Sequence, residues 1–202
     1  MSGIEMWDER FAAEDYVFGK APCAFLLKQK HRLSPGMKIL AVADGEGRNG
    51  VWLAEQGLDV LAMDGSKVAL EKAKRLAEER KVSLKTECAD WKEWRWPHEA
   101  FDEVVAIFIQ FTGPQDRAEM FERMKKALKP GGILLLHGYR PEQLAYGTGG
   151  PKAVENLYTE PMLRDAFVDM QILELEAYDA HIEEGAGHRG MSALIDLVAR
   201  KS

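Results

Sequence analysis

The chain has 202 residues, of which 46% are hydrophobic and 30% charged, as expected for one globular domain with a single core. With 27 basic and 33 acidic residues its formal charge is -6, which argues against binding of nucleic acid through a broad basic face. No apolar run approaches the ~20 residues of a membrane-spanning helix, and the first residues lack the pattern of a signal peptide. Cys23 and Cys88 have no metal-ligand spacing and suit a reducing compartment. We therefore expect one cytoplasmic domain over residues 1–202, with no metal, membrane or nucleic-acid partner.

Short apolar runs alternate with longer helical patterns, an order typical of an α/β fold around a mostly parallel sheet. Residues 1–35 precede the first apolar run and are rich in aromatic residues, so we predict a helical lid over 1–35 and a core over 36–202. Two late runs, 171–180 and 191–199, alternate apolar with polar residues and predict half-exposed strands that pair antiparallel at one edge. Five apolar runs predict the other strands, at 37–43, 59–63, 82–89, 102–109 and 133–138.

Three helices are predicted between these strands, at 47–56, 67–81 and 114–128. Ser66 is the expected N-cap of the second helix, and the sequence KPGG that begins at Lys129 stops the third. One face of the second helix carries small or apolar side chains, which suits packing on a sheet. Its members are Ser66, Ala69, Leu70, Ala73, Leu76 and Ala77.

A glycine-rich turn follows the first predicted strand and opens a helix, with the sequence DGEGRNG from Asp44 to Gly50. Glycines allow such a turn and let a ligand approach the N–H groups at the helix N-terminus. Asp64 ends the next strand, where an acid can accept hydrogen bonds from both hydroxyls of a ribose. The order strand, glycine turn, helix, strand, acid predicts a nucleotide-type cofactor at the C-terminal ends of these strands.

The spacing of Gly45, Gly47 and Gly50 also satisfies the dinucleotide fingerprint, which leaves an NAD(P)-binding oxidoreductase as an alternative. Two features oppose it. The Tyr-x-x-x-Lys pattern of Tyr16 and Lys20 precedes the fingerprint, and no second strand-helix-strand half with a nicotinamide site is evident.

Four motifs in order resemble class I S-adenosylmethionine (SAM)-dependent methyltransferases. They are VADGEGRNGVWLAEQGLDVLAMDGS from Val42, CADW from Cys88, FDEVVAIF from Phe101 and LKPGGILLL from Leu128. The opening WDERFAAEDYVFGKAPCAFL and the loop EQLAYGTGGP are similar to the small tellurite-resistance-type methyltransferases. The resemblance covers nearly the whole chain and implies a Rossmann-like sheet of seven strands with helices on both faces. It also implies methyl transfer from SAM to a small-molecule acceptor, with S-adenosylhomocysteine (SAH) as product. We expect a monomer or weak homodimer.

The resemblance implies that the glycine turn holds the methionine part of SAM. The backbone of Gly45 and Gly47 would pass against it, with Arg48 and Asn49 opening the helix alongside. Backbone near Ile107 would meet the ammonium end of the cofactor.

The resemblance also places ribose and adenine beside the ends of the second and third strands. Asp64 would hold the ribose hydroxyls, Asp90 would accept from the adenine amino group, and Trp91 would offer the ring an apolar surface. The remaining expected cofactor contacts are Gly65, Ser66 and, from the lid, Tyr16, and we expect 16–22 to close over the bound cofactor.

The chain departs from the family pattern in its first strand and turn. Ala41 stands where the family usually carries an acid, and Ala43 where it carries a glycine. Asp44 is the candidate for the missing negative charge beside the cofactor ammonium. These departures leave open a non-catalytic protein that senses SAM.

Methyl transfer from a sulfonium is an in-line displacement, so the protein chiefly aligns the nucleophile and excludes water. A thiolate or chalcogen oxyanion needs no base, whereas a hydroxyl or ammonium acceptor does. Two arginines among the candidates, Arg140 and Arg189, favour an anionic acceptor. The acceptor-side candidates follow the fourth and fifth strands or lie in the last hairpin; they are Phe108, Gln110, Phe111, Tyr139, Arg140, Tyr146, His188 and Arg189.

Overall fold

The computed structural model describes residues 3–202, and within them it forms seven strands and seven α-helices. The strands are β1 (Lys38–Val42), β2 (Asp59–Asp64), β3 (Lys85–Cys88), β4 (Phe101–Ile107), β5 (Leu128–Tyr139), β6 (Met170–Glu183) and β7 (Arg189–Lys201). The helices are α1 (Gly3–Phe11), α2 (Ala24–Lys28), α3 (Arg48–Glu55), α4 (Lys67–Arg80), α5 (Pro114–Ala127), α6 (Gln143–Tyr146) and α7 (Glu160–Ala166).

The strands form one sheet in the order β3-β2-β1-β4-β5-β7-β6. The pairs β1–β2, β2–β3 and β4–β5 are parallel, whereas β7 runs antiparallel to both β5 and β6. The predicted α/β class, the seven strands and the antiparallel last pair at one edge are therefore confirmed.

Contacts divide the chain into two compact units. The first runs up to Arg95 and includes Glu184–Gly187, and the second consists of Trp96–Glu183 and His188–Ser202. The single domain over 1–202 stays a prediction.

In the first unit, α4 packs with the face that its sequence predicts. Ser66 accepts the N–H of Ala69 through its hydroxyl oxygen and caps the helix. All six residues of that face are buried, and so is the charged Lys72. The apolar run of β1 is likewise buried from Ile39 to Val42, as expected for a strand covered on both faces.

In the second unit, β7 corrects one expectation. Its alternating sequence predicts a half-exposed strand, yet all residues from Ser192 to Ala199 are buried. The strand lies between β5 and β6, and its polar side chains have partners inside: Asp196 contacts His137, and Ser192 donates to the Gly190 carbonyl. β6 is the half-exposed edge strand, as predicted.

The predicted lid is only partly helical. It contains α1, α2 and a short 3-10 turn at Gln29–Arg32, with irregular chain from 12 to 23. Residues 1 and 2 of that prediction lie outside the described residues. Over residues 3–202, none of the helices combines the length and apolar character needed to cross a membrane.

Candidate cofactor-binding and acceptor-side sites

The glycine turn joins β1 to α3 in the first unit. Gly45 and Gly47 have φ values of +59° and +87°, in the left-handed region that glycine favours. A Cβ on Gly47 would lie 2.5 Å from Cβ and 2.8 Å from Cα of Ala73 in α4. Glycine is therefore needed at 47 both for the backbone conformation and for the close approach of this turn to α4.

Asp64 ends β2 and receives two backbone hydrogen bonds. Its Oδ2 accepts the N–H of Gly45 at 2.8 Å, and its Oδ1 accepts the N–H of Ser66 at 2.8 Å. Burial raises the pKa of the Asp64 carboxyl, and the N–H groups of Ser66, Gly45 and Gly65 oppose the rise. An ionised carboxylate offers about four acceptor positions, so acceptor capacity remains for a ribose.

Asp44 is the second acid of the turn, and both its oxygens accept the N–H of Gly50, at 3.2 and 3.1 Å. Burial raises the pKa of the Asp44 carboxyl to about 7, the Gly50 N–H opposes the rise, and the charge of Asp64 adds to it. Because burial disfavours the ionised form of both carboxyls, a positive charge nearby would stabilise that form. The two carboxylates therefore fit SAM, which carries an ammonium and a sulfonium beside a ribose diol.

Helix α1, which belongs to the predicted lid, lies against this site. Oδ1 of Asp8 is 2.5 Å from the Ser66 hydroxyl, which donates to it. A Cβ on Gly65 would lie 3.1 Å from a side-chain carbon of Ile4, and one on Gly45 would lie 3.6 Å from the ring of Phe11. The predicted contacts Gly65 and Ser66 are thus covered by α1.

The side chains of Arg48 and Asn49 contact other parts of the first unit. Arg48 forms an ion pair with Glu184 at 2.7 Å, and Oδ1 of Asn49 accepts the N–H of Cys23 at 2.9 Å. Contact of Arg48 and Asn49 with the cofactor stays a prediction. Tyr16, also predicted there, donates its hydroxyl to the Lys72 carbonyl at 3.0 Å.

Asp90 and Trp91 follow β3, and both are half-buried. The N–H of Ala89 donates to the backbone carbonyl of Asp64 at 3.0 Å. Asp90 is the next residue along the chain, so it lies close to the end of β2. Its Oδ1 accepts the N–H of Lys92 at 2.8 Å. The arrangement is compatible with the predicted adenine contacts, which stay predictions.

On the second unit, Ile107 ends β4, and Phe108 follows with a positive φ of 56°. The Phe108 ring centroid is 4.1 Å from that of His188 and 4.7 Å from that of Tyr139. His188 and Tyr139 are also in edge contact, at 5.6 Å. We call these three residues the aromatic cluster; all three are predicted acceptor-side residues.

The other acceptor-side candidates have structural partners. Gln110 accepts the N–H of Tyr139 at 2.6 Å and donates to its carbonyl at 2.8 Å, so its amide fixes the chain after β5. Arg140 pairs with Asp179 and with Glu142, and Tyr146 donates to Asp179 at 3.0 Å. Because two acids neutralise Arg140, it gives little support to an anionic acceptor. Phe111 and Arg189 are exposed.

Sequence reasoning missed His137, which pairs with Asp196 across β5 and β7. His137 also makes an edge contact with Phe108, at 4.7 Å between ring centroids. The available signal was a polar residue in each of two otherwise apolar strands. His31, His98 and His181 are all exposed.

Comparisons with known proteins show what the chain is similar to in sequence and fold. A family model described as a methyltransferase domain matches residues 39–132, from β1 into β5. The glycine/sarcosine N-methyltransferase of Parasynechococcus marenigrum (strain WH8102) is 34% identical over 145 residues, which is 70% of this chain and 48% of that protein. The chain thus spans about half the length of this curated relative.

Two solved structures share the fold at low sequence identity. One comes from work on the conversion of a disulfide bond into a thioacetal group during echinomycin biosynthesis; its TM-score is 0.79 at 19% identity, over 100% of this chain and 92% of that one. The other is TehB from Haemophilus influenzae, with a TM-score of 0.73 at 18% identity, over 98% and 67%. Residues 39–132 thus match a methyltransferase domain, and the whole chain shares the Rossmann-like fold of these solved structures. Both findings agree with the class that the four motifs predict.

Proposed function

We propose that the protein transfers the methyl group of SAM to a small-molecule amine. The observation that carries the cofactor half is the Asp64 carboxylate, which ends β2, accepts the Gly45 N–H and keeps acceptor capacity for a ribose. It lies inside the segment matched by the methyltransferase family.

The amine half of the proposal draws on the relatives. Curated relatives are named glycine/sarcosine N-methyltransferase, in Parasynechococcus marenigrum, Aphanothece halophytica and Halorhodospira halochloris. The pairing of Arg140 with Asp179 and Glu142 also weakens the support for an anionic acceptor. An amine is therefore favoured over the thiol or chalcogen nucleophile that the sequence left open.

SAM, when bound, supplies a methyl group on a positively charged sulfur. In the proposed reaction Asp64 holds the ribose and Asp44 balances positive charge. The acceptor nitrogen forms the new bond to carbon as the carbon–sulfur bond breaks. An ammonium acceptor must first lose a proton.

Calorimetric titration with SAM, SAH and NAD in parallel tests the cofactor. Binding of SAM and SAH without NAD is expected, and binding of NAD alone would restore the oxidoreductase. Turnover is then measured with labelled SAM against glycine, sarcosine, phosphoethanolamine, a thiol and tellurite. Methylation of the thiol or of tellurite alone would overturn the amine proposal. Binding without any turnover would favour the sensor.

A further inference from the structure

Lys72, in the first half of α4, has a buried ammonium with four oxygen neighbours. Oε1 of Glu46 lies 2.6 Å from its Nζ, and both side chains are 2% exposed. The carbonyls of Phe11, Ala13 and Asp15 lie at 3.3, 2.8 and 2.7 Å. Because an ammonium has three protons to donate, every donor of this buried cation is used.

The three carbonyls belong to the chain that leaves α1, and Tyr16 extends the same arrangement. Its ring centroid lies 5.1 Å from Nζ of Lys72, and its hydroxyl donates to the Lys72 carbonyl. Residues 11–16 therefore wrap around one buried charge.

Glu46 joins that charge to the glycine turn. It stands between Gly45 and Gly47, and its Oε2 accepts the N–H of Phe18 at 3.3 Å. One carboxylate thus contacts both α4 and the N-terminal segment while it belongs to the turn that is expected to meet the cofactor.

The next two side chains of the turn hold the end of the same segment. Asn49 accepts the N–H of Cys23. Arg48 pairs with Glu184, whose other oxygen accepts the N–H of Ala24 at 3.2 Å. Residues 11–24 are therefore fixed to the glycine turn at both ends.

We infer that Glu46 and Lys72 are positioning residues that couple the order of residues 11–24 to the binding of SAM at the glycine turn. If the segment left, the buried ammonium would lose three acceptors; if the turn moved, it would lose its counter-ion. Each loss is costly in a medium of low dielectric constant. Segment and turn therefore take up this conformation together, and a ligand that stabilises one stabilises the other. The inference rests on the proposed function, because SAM is the ligand it names.

The double variant Glu46→Gln/Lys72→Met tests the coupling. It removes both charges at similar volume, so no single charge is left buried. Amide hydrogen exchange over 12–24 and SAH affinity are measured with and without ligand. In the wild type SAH is expected to slow exchange over 12–24; in the variant exchange is fast in both states, and the SAH Kd rises roughly tenfold, a usual size for such coupling. Lys74→Met is the matched control, since Lys74 is an exposed lysine of α4 paired with Glu71.

Two results for the double variant would overturn the coupling. Fast exchange with an SAH Kd within twofold of wild type would show that segment and turn are independent. Slow exchange in the variant would show that the ion pair does not hold the segment. If the double variant does not fold, Tyr16→Leu leaves the pair intact, and it is expected to speed exchange and weaken SAH by a smaller factor; no change would overturn the coupling. Failure of the wild type itself to bind SAH would instead refute the proposed function.

Discussion

His137 and Asp196 face each other on β5 and β7, with Nδ1 and Oδ1 2.5 Å apart and both side chains almost fully buried. The hydroxyl of Tyr178 donates to the same Asp196 oxygen at 3.3 Å. Carboxylate oxygens of Glu174 and Glu176 lie within 4.8 Å of Asp196 and of one another. His137 is thus the partner of an acid that already has acidic neighbours.

We predict that His137→Asn lowers the free energy of unfolding by about 3 kcal/mol, because it leaves a buried carboxylate close to two others. Asp196→Asn is expected to cost less, because it also removes repulsion. Urea denaturation measures both losses, with the exposed His181→Asn as control. SAH affinity is expected to stay unchanged in both variants. Equal losses, or a larger loss for Asp196→Asn, would contradict this account.

Asp64→Asn is predicted to weaken SAH binding by roughly 1.5 to 3 kcal/mol, since a charged acceptor for two hydroxyls becomes neutral. The amide also turns one N–H donor toward Gly45 or Ser66. Isothermal titration gives the change. Asp59→Asn is the control on the same strand, because Asp59 pairs with Lys85 at the surface.

Unchanged SAH affinity in a folded Asp64→Asn protein would place the ribose elsewhere. A comparable loss in Asp59→Asn would show that the effect comes from β2 in general and not from the carboxylate.

The glycine turn and Asp64 could be predicted from the sequence because they depend on local features. A left-handed turn needs glycine wherever it lies in a fold, and an acid at the end of the next strand follows from strand order. The face of α4 was predictable for the same reason, since helical spacing alone selects its residues.

The partners of the turn could not be predicted, because they are distant in sequence. Nothing near Glu46 indicates that Lys72 will be buried beside it, or that Asn49 will bind the Cys23 N–H. The polar residues of β7 misled the prediction of exposure, since Asp196 is satisfied by His137 and not by solvent. Gln110 has an amide that suits substrate binding, yet it holds the backbone of Tyr139.

Gly47→Ala is predicted to destabilise the protein by about 2 kcal/mol more than Gly36→Ala. Both glycines have a positive φ, +87° and +84°, so both variants pay the left-handed strain of about 1 to 2 kcal/mol. Only at 47 does the new Cβ meet another residue, at 2.8 Å from Cα of Ala73, whereas nothing lies within 4 Å at 36. Overpacking against backbone typically costs about 1 to 3 kcal/mol. Equal urea midpoints for the two variants would show that the turn can move away from α4.

Asp44 is predicted to give stability and cofactor binding opposite dependences on pH. Burial raises the pKa of its carboxyl from 3.8 to about 7, so between these values the folded protein keeps a proton that the unfolded chain has released. The contribution of Asp44 to the free energy of unfolding is therefore fully present below about pH 4. It falls by up to about 1.4 kcal/mol per pH unit as the pH rises, and levels off above about pH 7. A bound cation favours the ionised carboxylate, so SAM affinity is expected to rise over the same range.

Asp44→Asn keeps an oxygen for the Gly50 N–H and removes the titration. Urea denaturation at pH 5 and pH 8 is expected to show a smaller loss of stability in the variant than in the wild type; the contribution of Asp64 is largely common to both proteins and cancels in the comparison. Titration of SAM at pH 6 in buffers of different ionisation enthalpy is expected to detect proton release from the wild type and little from Asp44→Asn. Asp59→Asn, on the exposed start of β2, should behave as the wild type in both experiments. If stability falls equally in all three proteins, or if SAM binding releases the same number of protons from each, Asp44 is not the titrating group, and the charge that balances the cofactor lies elsewhere.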